Sequence, residues 1–203
     1  MATVAYAALA LTAATAGAIA APALDSSAGI IVESSSERAQ PGTFRILDGP
    51  WERTTAKSRA AGLTPDAGGW CLAGGASGTV VFAPHIADPG PRELFLTWPS
   101  SANASDVLVT VTHTGGRAQT RIDQDGWGGR GVSDASRWIS LGIYDFDASA
   151  EIALTGGAGC RPIDLRAPLL VCADAIRLVP TARRTDDETL AAAGEPARFV
   201  RRG

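Results

Sequence analysis

From Thr79 onward the chain alternates apolar and polar residues with a period of two, in short runs broken by Gly and Pro. Leu94, Leu96 and Trp98 fall on one side of such a run, and Glu93, Phe95 and Thr97 on the other. Val107, Val109 and Val111 oppose Leu108, Thr110 and Thr112 in the next. This period puts successive side chains on opposite faces of an extended strand and would scatter them around a helix. His113-Thr114-Gly115-Gly116 reads as a hairpin turn into Ala118–Asp123. Ile30-Ile31-Val32, Phe44–Leu47, Trp51–Thr55, Thr79–Phe82, Trp138–Phe146, Glu151–Thr155 and Val171–Val179 supply further strands, while 56–78 reads as loop. The pattern predicts an all-β, antiparallel, jelly-roll-like β-sandwich over residues 30–180. No repeat at solenoid spacing is present.

Composition is consistent with one domain and tails. A chain of 203 residues with 45% hydrophobic content can bury a core, and 19% charged residues is too few for a disordered chain. Twenty-three Gly and 12 Pro favour turns. The net charge of -3 points to neither nucleic acid nor an anionic membrane as partner.

Residues 1–24 are uncharged and alanine-rich. They read as a signal peptide or hydrophobic leader, with small-x-small cleavage sites at Ala18-Ile19-Ala20 and Ala21-Pro22-Ala23. The missing basic residues at the start count against this, and a membrane anchor or a linker competes with it. The export reading implies a secreted or cell-surface protein whose mature chain has no membrane span. Residues 181–203 form a polar tail. Thr185-Asp186-Asp187-Glu188 is a capping box for a turn or two of helix, and Arg198, Arg201 and Arg202 give a basic end. A solvated tail and an interaction arm are both compatible with it.

Cys160 and Cys172 bracket a loop-like insert, and a bridge closing it would contribute about 3 kcal/mol. Cys71 is then left over, unless it replaces one of the two; three buried free thiols are the remaining alternative. With no CxxC pair and no His/Cys cluster, the sequence gives no zinc signature.

The aromatic that stands apart is Trp127, within Asp125-Gly126-Trp127-Gly128-Gly129-Arg130-Gly131. Trp51, Trp98 and Trp138 sit among strand residues and are expected in the core, and Trp70 could go either way. Flanking glycines give Trp127 no strand context. An exposed indole can stack on the apolar face of a pyranose while Asp123, Asp125 and Arg130 bond its hydroxyls. The competing reading is a loop Trp folded over the sandwich edge. Asp123, Asp125 and Asp134 also suggest calcium ligation, but Gly126 lacks the Glu that a calcium loop needs, and a solvated acidic loop competes. No other cofactor is expected. Catalysis is not expected either. His85 and His113 lie in turns, no Gly-x-Ser-x-Gly elbow exists, and no carboxylate pair stands in a context that raises one pKa selectively. The glycines at 126–131 lack the strand-to-helix setting of a phosphate loop. Asp174, between alanines, reads as structural.

A series of short motifs runs in order along the chain: Ile31-Val32-Glu33, Gly49-Pro50-Trp51-Glu52, Trp98-Pro99, Ala102-Asn103-Ala104-Ser105, the hairpin at Val109–Gly116 and Asp123-Gln124. Trp138-Ile139-Ser140-Leu141-Gly142-Ile143-Tyr144-Asp145-Phe146 and Ala173-Asp174-Ala175-Ile176-Arg177 complete it. Through these, from about Ile30 to Val179, the chain resembles the golvesin/xanthan-lyase C-terminal domain, a carbohydrate-binding-like sandwich of secreted and cell-surface bacterial proteins. Extra residues at Asp125–Arg137 and between Cys160 and Cys172 depart from the pattern. The resemblance implies a non-catalytic extracellular module engaging a polysaccharide or surface glycan through loop residues. The alternative is a structural sandwich making protein or envelope contacts.

Overall fold

The computed structural model describes residues 29–35, 40–65, 67–126, 133–157 and 159–181. The leader, the polar tail with its capping box, and Trp127 and Arg130 lie outside the described residues. Among the described residues twelve strands are formed: β1 (Ile30–Glu33), β2 (Gly42–Asp48), β3 (Glu52–Thr54), β4 (Gly69–Ala73), β5 (Gly78–Pro84), β6 (Gly90–Thr97), β7 (Asn103–His113), β8 (Gly116–Asp125), β9 (Ile139–Phe146), β10 (Glu151–Gly156), β11 (Leu170–Ala173) and β12 (Ala175–Pro180). All pairings are antiparallel. The smaller sheet runs β1-β12-β6-β9. The larger runs β2-β5-β10-β7-β11-β4-β3, with β8 also on β7.

The period-two pattern does what it predicts. Val107, Val109 and Val111 are fully buried between the sheets, as are Leu94, Leu96 and Trp98. Phe82, Ile152, Leu154, Ile176 and Leu178 meet them in one core. Strand β7 organises the larger sheet. It pairs with β8 along one edge, and its other edge is shared by β10 at Leu108–Thr112 and β11 at Asn103.

Two segments differ from expectation. Residues 56–78 contain β4, which the flanking glycines hide because its five residues are held by β11 and β3 rather than by an alternation of their own. The single strand expected over Val171–Val179 is two. β11 belongs to the larger sheet and β12 to the smaller, and the chain crosses between them at Asp174.

The Trp-x-x-Leu-Gly-x-Tyr-x-Phe stretch is a bend-making device. The β6–β9 register slips where Leu141 is passed over, so Leu94 faces Gly142 and Phe95 faces Ser140. The slip requires a φ of 116° at Gly142, a conformation that L side chains rarely adopt. The Tyr144 hydroxyl donates to the Leu141 carbonyl at 3.0 Å, satisfying an acceptor that the bulge takes out of the ladder.

Candidate functional site

One end of the sandwich gathers the loop at 55–65, the turn at 98–102, Gly126, Ser136 and the β11–β12 crossover. The loop is held from beneath by two buried acids. Glu33, at the end of β1, accepts hydrogen bonds from the Thr64 amide (3.0 Å) and hydroxyl (2.8 Å), and pairs with the Lys57 ammonium. Asp174 accepts from the Ser58 amide and lies 3.7 Å from the same ammonium. The Ser58 hydroxyl shares a 2.6 Å bond with Thr97 and accepts from the Ala60 amide. At 9% side-chain exposure Lys57 is committed to this network and is not open to a ligand. Burial pushes the Asp174 carboxyl up to about 6, and the neighbouring Glu33 adds to the rise. The Ser58 amide and Lys57 oppose it, and burial wins.

Above this floor the loop walls a cleft of about 570 Å³ with Pro99 and Ser100 on its other side. Thr55, Arg59, Pro65 and Ser100 line it and are exposed. The Arg59 amide donates to the Ser136 hydroxyl at 3.0 Å, and the Trp138 indole N–H donates to the Ala61 carbonyl at 2.9 Å. The cleft loop is thus tied to the stretch that follows the glycine-rich segment. Thr55, Arg59 and Ser100 were not legible as site residues, because the loop that carries the first two is held by the buried acids and meets Ser100 only in the folded chain.

Asp125, two residues before Trp127 in the sequence, bonds to Ser133 and Asp134. Its carboxylate accepts from the Asp134 amide at 3.0 Å, and its carbonyl accepts from the Ser133 hydroxyl at 2.5 Å. Gly126 donates to the Ala102 carbonyl at 2.8 Å. A Cβ at Gly126 would stand 2.4 Å from the Ser100 carbonyl oxygen, so only glycine fits this approach. Gly126 thus abuts Ser100, which lines the cleft, and Ser136 bonds to the cleft loop at Arg59. Burial raises the Asp125 carboxyl, the Asp134 amide opposes this, and the Asp134 and Asp123 charges add to the rise. Asp123 is exposed and accepts from the Asp106 amide at 3.2 Å. The structure brings Asp123 and Asp125 to the same end. Among the described residues, no three His, Cys, Asp or Glu side chains converge as metal ligands.

The cysteine partnership differs from that expected. Cys172 does not meet Cys160: its sulfur lies 2.9 Å from that of Cys71 on the neighbouring strand, while the Cys160 sulfur sits 3.8 Å from the Asp106 carbonyl. Sequence proximity favoured Cys160, but β4 lies directly against β11 and takes its place. Of the tryptophans, Trp51 and Trp98 are buried, whereas Trp138 is only partly buried, with its indole spent on the cleft loop. Trp70 has Phe44 stacked at 6.4 Å and the Arg53 guanidinium at 5.9 Å, so other side chains already occupy its ring.

Polar residues within the family-like segments have structural uses. The buried Asn103 amide donates to the carbonyls of Asp164, Ala167 and Pro168, and its oxygen accepts from the amides of Ile163 and Asp164. The buried Gln124 amide donates to the Cys172 carbonyl and accepts from the Cys172 N–H, both at 2.8 Å. It presents the donor and acceptor that a neighbouring strand would offer where β11 has diverged from β7.

A family model described as the Golvesin C-terminal domain matches residues 37–180. A xanthan lyase of Bacillus sp. (strain GL1) is 34% identical over 84 residues, covering 41% of this chain and 8% of the lyase. A solved structure of a Paenibacillus xanthan lyase superposes with a TM-score of 0.56 at 24% identity, over 76% of this chain and 13% of that one. That likeness concerns the fold. The chain thus spans only a small fraction of the length of either lyase.

Proposed function

Because the chain belongs to the golvesin C-terminal domain family, we propose that it is a non-catalytic, extracellular carbohydrate-binding-like module engaging a polysaccharide or cell-surface glycan. In this reading Trp127 stacks on a sugar ring, Arg130 and Asp123 bond hydroxyls, and Asp125 positions the segment that bears the first two. The observation that carries it is the anchoring of both ends of that glycine-rich segment beside the open cleft at Arg59 and Ser100. An aromatic platform next to a groove with a few polar groups suits a sugar, which is apolar on its ring faces and polar at its rim. The relatives are named for a polysaccharide, which makes xanthan the first probe. Among the described residues no helix is long and apolar enough to cross a membrane.

Affinity electrophoresis through gels containing xanthan and other bacterial polysaccharides tests this. The chain should be retarded by at least one of them. Trp127→Ala should weaken that retention about thirtyfold, roughly 2 kcal/mol for an interface anchor, with unchanged melting. A fully retained Trp127→Ala chain would remove the sugar platform from the account. A second reading, contact with another protein, rests on Leu47 of the edge strand β2, 55% exposed, and on Leu165 in the insert, 87% exposed. It gains if no polysaccharide retards the chain.

A further inference from the structure

Cys71 and Cys172 face each other in register on β4 and β11. Both backbone groups of Cys172 point away from β4, because its N–H and carbonyl are bonded to the Gln124 side chain. Toward β4, Cys71 and Cys172 are therefore a non-hydrogen-bonded pair. Such pairs bring their Cα atoms to about 4.5 Å, inside the span that a disulfide bridges. The sulfurs already lie 2.9 Å apart, so little movement is required. Cys160 has no thiol within this pair's reach and points at the Asp106 carbonyl.

We propose that Cys71 and Cys172 close a cross-strand disulfide that joins β4 to β11, leaving Cys160 as the remaining thiol. The oxidant is a low-molecular-weight disulfide, RSSR. The Cys71 thiolate attacks one sulfur of RSSR, forming Cys71–S–S–R and releasing RS⁻. Cys172 loses its proton and displaces the second RS⁻. The two cysteines give up two electrons and two protons, and RSSR becomes two RSH. Cys71 is the entering thiol because it is the more exposed of the two, at 7% against 1%, and lies on a strand flanked outside only by the three-residue β3. The hydrogen bond to Cys71 and burial hold the Cys172 thiol well above its ordinary range, which disfavours it as first attacker.

The reduced full-length chain is equilibrated in a glutathione redox buffer, denatured, treated with N-ethylmaleimide, weighed intact and mapped with trypsin. Cleavage after Arg166 separates the Cys160 and Cys172 peptides, since the Arg161-Pro162 bond resists trypsin. The expected result is one maleimide, on Cys160, and a Cys71 peptide linked to a Cys172 peptide. The oxidised chain should melt roughly 10 °C above the reduced one, since the bridge closes a loop of about 100 residues. Cys160→Ser should retain both the link and the shift. Three maleimides, or any intramolecular link that includes Cys160, would overturn the proposal.

Discussion

Replacing Asn103 by alanine should destabilise the chain by about 3 kcal/mol and release the insert between Cys160 and Leu169. The side chain is 1% exposed and makes five hydrogen bonds to insert backbone. Each contributes about 0.5–1.5 kcal/mol, and the partly exposed partners recover some of this from water. Asn103→Asp distinguishes the donors from the acceptor. It still accepts from Ile163 and Asp164 but turns a carboxylate toward three carbonyl oxygens, and should be no more stable than the alanine variant. Urea titration gives the loss. Limited trypsin digestion locates it, since cleavage after Arg166 should accelerate in both variants; equal protection in all three chains would mean that Asn103 does not hold the insert.

Lys57→Met should cost about 3–5 kcal/mol at pH 7, because Glu33 and Asp174 would share a buried site with no cation. The loss should shrink toward pH 4. With the Asp174 carboxyl raised to about 6 against an ordinary 3.8, the folded chain holds a proton between those values that the unfolded chain has released. Stability from this group therefore falls as pH rises from about 4 to 6, by roughly 3 kcal/mol in all. Asp164 acts in the opposite sense and lower down. Arg166 holds its carboxyl at about 2, so its contribution is lost as pH falls from about 4 toward 2. Asp174→Asn keeps an acceptor for the Ser58 amide and removes the proton, so its denaturation midpoint should lose the decline between pH 4 and 6. An unaltered decline in that variant would assign it to another group.

The alternating valines of β7 and the Leu94, Leu96, Trp98 face were legible because each strand records its own burial in a period of two. β4 was not, since Trp70-Cys71-Leu72 owes its extended form to partners about a hundred residues away. The same non-locality hides the pairing of Cys71 with Cys172 and the meeting of Lys57 with Glu33 and Asp174. Asp174 was legible as structural from its alanine neighbours, and the buried acceptor at the sheet crossover agrees. Several residues that carry the family resemblance, Trp98, Asn103, Gln124, Tyr144 and Asp174 among them, have their polar or apolar groups committed within the described frame. On the proposed reading, recognition is left to what the frame presents. That is why the candidate site was only partly legible: Asp123 and Asp125 lie at the end that holds the cleft, while Arg59 and Ser100 arrive there through tertiary structure.

The division of labour between a committed frame and a presenting end is tested most directly by NMR. Backbone amide shifts of the ¹⁵N-labelled chain would be followed during titration with oligosaccharides cut from a polysaccharide that retards it. The account predicts shifts clustered at 55–65, 98–102 and 123–137, with the amides of β2 and of the insert at 161–169 unmoved. Shifts centred on β2 or the insert, with the Asp125 end silent at saturation, would contradict it.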